Sequence, residues 1–194
     1  MILIDSPFAN IANIARALRA AGATVEISRD AETIADARQI VLPGVGSFAA
    51  AMAWLRETNL DDVLRDAVAN GASLLGICVG HQLLFESSDE MGVTRGLGLL
   101  RGAVRRLDGA LPVPQIGWNR VSARGPLFTG VESEAFYFVN SYAARGVDSE
   151  IASADYDGPF TAAVQQGRVF GVQFHPEKSS TAGLRVLRNF IACN

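Results

Sequence analysis

Cysteine, histidine and lysine are all scarce here: a chain of 194 residues holds two cysteines, two histidines and one lysine. Cys78 and Cys193 cannot build a disulfide framework, which points to a soluble, reducing compartment, the cytoplasm. No pair of His, Cys or carboxylates has metal-ligand spacing, so neither a metal nor another cofactor is expected. No apolar run approaches the roughly 20 residues that a membrane span needs, and Met1–Ile4 stops at Asp5, too short for a signal peptide. An excess of basic charge is absent too. Seventeen Lys and Arg face 20 Asp and Glu, for a net charge of −3, with no basic stripe beyond Arg105-Arg106, so nucleic acid is not an expected partner. Repeats, linkers and low-complexity segments are also missing. A single domain over residues 1–194 is expected, burying roughly 70% of its extended-chain surface.

What is present centres on Gly76-Ile77-Cys78-Val79-Gly80-His81-Gln82. Ser73 to Ile77 reads as a buried strand and Val79 to Phe85 as the start of a helix, which puts Cys78 on the sharp turn between them. Glycines two residues before and two after remove the Cβ atoms that would clash where strand and helix cross. Such a turn can be purely structural. With cysteine at its apex it is a nucleophile elbow, where unpaired N–H groups at a helix start favour a thiolate.

Short strands and helices alternate up to this point. Strands are expected at Met1–Asp5, Thr24–Ser28 and Gln39–Leu42. Helices are expected along Ile11–Leu18, Ala49–Arg56 and Asp61–Asn70, with Gly22 and Gly71 as terminators. That order predicts an α/β fold with a mainly parallel central sheet flanked by helices and a site at the strands' carboxyl ends. From Leu97 onward, β-rich runs at 103–107, 135–139, 150–154, 160–165 and 168–173 predict a small antiparallel region in the C-terminal half, with Gln166-Gly167 as its clearest turn. A final helix from about Thr181 should bury Leu184, Leu187, Phe190 and Ile191.

A thiolate needs a base, and only two histidines exist. His81 lies inside the elbow helix, where it would pack beneath the turn. His175, in Phe174-His175-Pro176-Glu177, follows a predicted strand and has a carboxylate beside it. Alone, His-Pro-Glu reads equally as a loop opening a helix; with the elbow upstream, Cys78, His175 and Glu177 read as a triad. An oxyanion needs donors as well. The Val79 N–H follows the nucleophile, and the loop Pro43-Gly44-Val45-Gly46 offers Val45, although that loop also reads as an ordinary βα turn.

The elbow, the Pro-Gly-Val-Gly loop and Phe-His-Pro-Glu together resemble the class I (triad) glutamine amidotransferases, a flavodoxin-like fold. Leu42-Pro-Gly-Val-Gly-Ser-Phe48, Gln115-Ile-Gly-Trp-Asn119, Tyr137-Phe-Val-Asn-Ser-Tyr142 and Gly171-Val-Gln-Phe-His-Pro-Glu-Lys-Ser179 resemble, more narrowly, the glutaminase subunits of imidazole glycerol phosphate synthase. The resemblance implies hydrolysis of glutamine to glutamate and ammonia. It implies substrate contacts from Gly44, Gly46, Gln82, Glu90, Ser141 and Tyr142, where Gln82 could also be plain helix surface and Glu90 a solvated charge. It implies a partner, a cyclase subunit with a (β/α)8 barrel that consumes the ammonia in histidine biosynthesis, met through Asn10, Asn13, Trp118 and Lys178. Trp118 could equally be a core aromatic and Lys178 a surface lysine.

The chain departs from that pattern in its amino-terminal loop, at Asn140 and Gln115, where histidine is more usual, and at His81, where methionine is commoner. Two rivals read the same residues differently. In related cysteine peptidases the histidine often follows the elbow cysteine directly, and here that position is Val79. A non-catalytic scaffold has no need of Cys78, His175 and Glu177 together.

Overall fold

The computed structural model describes residues 1–193; Asn194, the last residue of the expected domain, lies outside the described residues. The chain opens with β1 (Ile2–Ile4), wholly buried, and α1 (Ile11–Ala20). Asn10 starts α1 by accepting the Asn13 N–H on its side chain at 3.2 Å. Ile14, Ala15, Ala17 and Leu18 bury one stripe of the helix, and Gly22, at φ 105°, turns the chain away.

β2 (Glu26–Ser28), α2 (Ala31–Ala35) and β3 (Gln39–Gly44) follow. Helix α2 is not among the expected elements, although its signal is present: Asp30 caps it, accepting the Thr33 N–H at 2.8 Å. Next come α3 (Phe48–Glu57), α4 (Leu60–Ala69) and β4 (Ser73–Cys78), in which every residue is buried. The elbow helix α5 spans only Val79–Gln82 and does not reach Phe85 as expected. The carbonyls of Leu83, Leu84 and Phe85 accept from Leu97, Leu100 and Gly98 at 2.8, 3.0 and 3.2 Å, so no further helical turn can use them.

The remaining strands are β5 (Phe85–Ser88), β6 (Thr94–Arg95), β7 (Leu100–Arg106), β8 (Gln115–Ala123), β9 (Ala135–Asn140), β10 (Tyr142–Ala144), β11 (Glu150–Asp155), β12 (Pro159–Gln166) and β13 (Val169–Val172). A 3-10 turn at Pro176–Lys178 leads into α6 (Ser180–Ala192). That helix buries Gly183, Val186, Leu187 and Phe190, while Leu184 and Ile191 are only half-buried. The stripe is rotated from the expected one because Gly183 sits against the Pro176 carbonyl, where any Cβ would overlap it.

One sheet runs β2-β1-β3-β4-β13-β12-β11-β8-β9. Its first five strands are parallel, and the antiparallel strands continue the same sheet from β13 to β9. β13 does double duty. It forms the hairpin with β12 through Gln166-Gly167 and also pairs in parallel with β4, Val172 opposite Ile77. A smaller sheet, β10-β7-β5-β6, stands beside it. The helices form two groups, α1 with α6 and α2 to α4 together. No helix among the described residues is long and apolar enough to cross a membrane.

Candidate functional site

Three adjacent parallel strands deliver the site. β3, β4 and β13 lie side by side, with Gly44 opposite Cys78 and Ile77 opposite Val172. Their carboxyl ends therefore bring the Pro-Gly-Val-Gly loop, the elbow and the segment before His175 to one rim. Cys78 occupies the elbow at φ 54°, ψ −110°, a backbone state that L side chains rarely adopt. The two glycines make the turn possible: a Cβ on Gly80 would overlap the Leu42 carbonyl, and one on Gly76 would come within 2.5 Å of the Gly80 oxygen. Gly44 belongs to the same crossing, since its Cβ would lie 2.9 Å from the Gly80 nitrogen. Gly44 thus supports the elbow from beneath and does not line the cavity.

His175 is held from several sides. Its N–H donates to the Tyr137 carbonyl at 2.9 Å, and its own carbonyl accepts the Ser179 hydroxyl at 2.6 Å. Phe174 stacks on Phe136 with ring centroids 4.1 Å apart. Glu177 Oε1 lies 2.9 Å from His175 Nδ1, with both side chains nearly inaccessible, at 3% and 5%. Burial alone would push the imidazole's pKa down. The Cys78 sulfur and the Glu177 carboxylate outweigh it and lift the ring from 6.5 to about 10. Sγ of Cys78 also lies 3.8 Å from the Val139 carbonyl and 3.9 Å from Gln173 Nε2.

Cys78, Val79, Gln82, Glu90 and His175 line a cavity of about 310 Å³, together with Val45, Gly46, Ser141 and Tyr142. That is the lower end of the volume range of small-ligand pockets, with room for an amino acid. Gln82 is buried and donates to the Tyr142 carbonyl at 2.9 Å and to Gln173 Oε1 at 3.0 Å. Glu90 Oε2 accepts the Phe48 N–H at 2.6 Å, at the start of α3. Val45 departs from expectation: its N–H donates to the Phe8 carbonyl and is not free to face the cavity.

His81 is wholly buried, neither ring nitrogen finds a hydrogen-bond partner among the described residues, and burial holds its pKa at about 3. It packs edge-on to Phe85 beneath the turn. Asn140 and Gln115 face each other across β8 and β9, each with a buried side-chain oxygen that meets no donor among the described residues. Trp118, 56% exposed, and Ile116, 65% exposed, lie on β8. Trp118 meets Tyr137 edge-on, and Lys178, which lines the cavity, sits over that tyrosine ring. Asn10 is exposed as the cap of α1, and the Asn13 side-chain oxygen accepts from the Arg16 guanidinium at 2.9 Å; α1 packs beside the turn that carries Glu177. Among the described residues no group of three or more His, Cys, Asp or Glu is placed to hold a metal ion. Gln173, to which the sequence alone gives no role, touches both Gln82 and the Cys78 sulfur.

The family model for class-I glutamine amidotransferases matches residues 2–193. The chain belongs to that family. The imidazole glycerol phosphate synthase subunit HisH of Geobacillus kaustophilus is 45% identical over 97% of this chain and 94% of its own length. The subunit of the same name from Bacillus subtilis is 44% identical over 97% and 93%, and that of Vibrio cholerae 43% identical over 98% and 97%. This amidotransferase is accordingly an enzyme subunit of the HisH type. The fold is shared with a crystal structure of a glutamine amidotransferase at TM-score 0.80 and 21% identity, covering 99% of this chain and 97% of that one. It is shared as well with PurLQS from Thermotoga maritima at TM-score 0.77 and 20% identity, covering 98% and 96%.

Proposed function

We propose that this amidotransferase hydrolyses glutamine through Cys78, His175 and Glu177 and passes the ammonia to a cyclase subunit with a (β/α)8 barrel, which makes imidazole glycerol phosphate in histidine biosynthesis. The observation that carries the reading is the buried line of sulfur, imidazole and carboxylate opening on a cavity with room for an amino acid. The thiol proton passes to His175, and the thiolate attacks the carboxamide carbon of the substrate. His175 then protonates the leaving nitrogen, the C–N bond breaks, and ammonia departs from a γ-glutamyl thioester. Water gives its proton to His175 as it attacks the thioester; the C–S bond breaks and glutamate leaves. Glu177 orients the ring and balances its charge throughout.

Recognition follows from the free acceptors. No hydrogen bond among the described residues engages Gln82 Oε1 or Glu90 Oε1, so both are available to N–H donors on the substrate, the carboxylate of Glu90 suiting the ammonium. The oxyanion meets the Val79 N–H at the helix start. A second donor, Val45, requires its peptide to leave the Phe8 carbonyl. Each such donor is worth about 2.7–4 kcal/mol in the transition state. Phe8 lies two residues before Asn10, which with Asn13, Trp118 and Lys178 is assigned to the interface. A partner that draws this segment away would release Val45, which supports low activity alone and strong stimulation in the complex.

Glutamate release from glutamine by the purified chain, with and without the cyclase subunit carrying its nucleotide ligand, tests the reading. Stimulated release is expected. Peptide cleavage without glutaminase activity would favour a peptidase, and no turnover under any condition would favour a scaffold.

A further inference from the structure

Gln173 leaves β13 in the stretch between the hairpin and His175, and it is completely buried. Its N–H donates to the Ala162 carbonyl at 2.8 Å, which fixes its backbone to β12. Its side-chain carbonyl accepts from Gln82 at 3.0 Å, and its side-chain nitrogen lies 3.9 Å from Cys78 Sγ. The second proton of the Gln82 amide goes to the Tyr142 carbonyl at 2.9 Å.

The polarity of this chain is set from one end. A backbone carbonyl can only accept, so Gln82 must turn its NH₂ toward Tyr142. That same NH₂ then requires the carbonyl of Gln173 on its other side. Rotating either amide would set oxygen against oxygen or NH₂ against NH₂. With its carbonyl committed, Gln173 has only N–H to offer the sulfur. Both protons of Gln82 are spent on the protein, and only its carbonyl remains for the cavity.

We propose that Gln173 is a positioning residue that couples the two halves of the site: it fixes the Gln82 amide with its carbonyl toward the substrate's N–H donors, and it sets an N–H against the Cys78 sulfur, which favours the anionic nucleophile. The inference rests on the glutaminase reading for its substrate and not for its effect on the sulfur. The other ionisable groups around Cys78 are His175 with Glu177 behind it, and Glu90, Tyr142 and Lys178 on the cavity wall.

Alkylation of Cys78 by iodoacetamide across pH, in a Cys193→Ser background, reads the sulfur without needing turnover. Gln173→Glu keeps the acceptor for Gln82 but replaces the donor beside the sulfur with a carboxylate. It should raise the pH of half-maximal alkylation by about one unit or more, roughly a tenfold slower reaction at pH 7. Gln173→Met releases Gln82 and should raise KM for glutamine about tenfold in the complex with the cyclase subunit, with a smaller loss in kcat. Should both variants fail to fold, Gln82→Met decides, because Gln173 then loses the contact that fixes its polarity and the alkylation profile must move the same way. Folded variants with the wild-type alkylation profile and wild-type KM overturn the proposal. A shifted profile in a chain that never hydrolyses glutamine supports the role at the sulfur and refutes only the glutaminase reading.

Discussion

Replacing His81 with methionine should stabilise the protein increasingly as the pH falls. The ring is fully buried and both nitrogens lack partners among the described residues, so the folded state keeps it neutral down to a pKa of about 3, whereas an unfolded chain protonates it at 6.5. Above pH 6.5 the ring is neutral in both states and costs nothing by titration. Below it the unfolded state takes up a proton that the folded state refuses, and stability falls by about 1.4 kcal/mol per pH unit. At pH 5 the loss is roughly 2 kcal/mol, and at pH 3 about 4 kcal/mol. Methionine does not titrate and fills a similar volume. At pH 8 it should be neutral to mildly stabilising, because removing orphaned polar atoms (about 1–3 kcal/mol) offsets the lost contact with Phe85. His175 contributes in the opposite sense, since its raised pKa stabilises the fold below 6.5 and that contribution fades toward pH 10. It is present in both proteins and cancels in their difference. Urea unfolding at pH 8 and pH 5 measures the effect, and the variant's advantage should grow by about 2 kcal/mol, or roughly 4–8 °C in Tm for a chain of this size. Parallel stability curves would refute the reasoning and mean that His81 has a hydrogen-bond partner or titrates normally.

His175→Ala should lower kcat for glutamine by 10²–10⁴-fold or more, while His81→Met leaves kcat within a few-fold; steady-state glutamate release separates the two histidines. Glu177→Gln removes one of the two partners that lift His175, so the alkaline limb of the pH–kcat profile should move down by about one unit or more. Gly80→Ala places a methyl on the Leu42 carbonyl and should cost about 3 kcal/mol or more in urea unfolding, whereas Gly146→Ala, with open space around it, should cost only its backbone strain at φ 59°. Trp118→Ala should weaken association with the cyclase subunit about tenfold by titration while leaving the fold's Tm unchanged, because the indole is more than half exposed.

The elbow was readable because close crossing leaves a chemical trace: without glycine at 76 and 80, the chain overlaps itself. His175 and Glu177 were readable because two residues of spacing around a proline allow ring and carboxylate to meet. Other features depend on partners distant in sequence. The run Leu83-Leu84-Phe85 is apolar in either a helix or a strand, and what decides is where Leu97, Gly98 and Leu100 send their N–H groups. That β13 pairs in parallel with β4 is invisible locally, yet it is this pairing that carries His175 beside Cys78. Gln173 sits among apolar residues with nothing in its neighbourhood to announce Gln82 and the sulfur. Asn140 and Gln115 stood out singly as departures, and only the register of β8 and β9 joins them as a pair.

Incubating the complex with glutamine, quenching in acid and digesting for mass spectrometry tests the chemistry most directly. The peptide carrying Cys78 should gain one γ-glutamyl group, lost again on mild alkaline treatment and absent in Cys78→Ser. Glutamate produced with no adduct at Cys78, or with the adduct on another residue, would contradict the account.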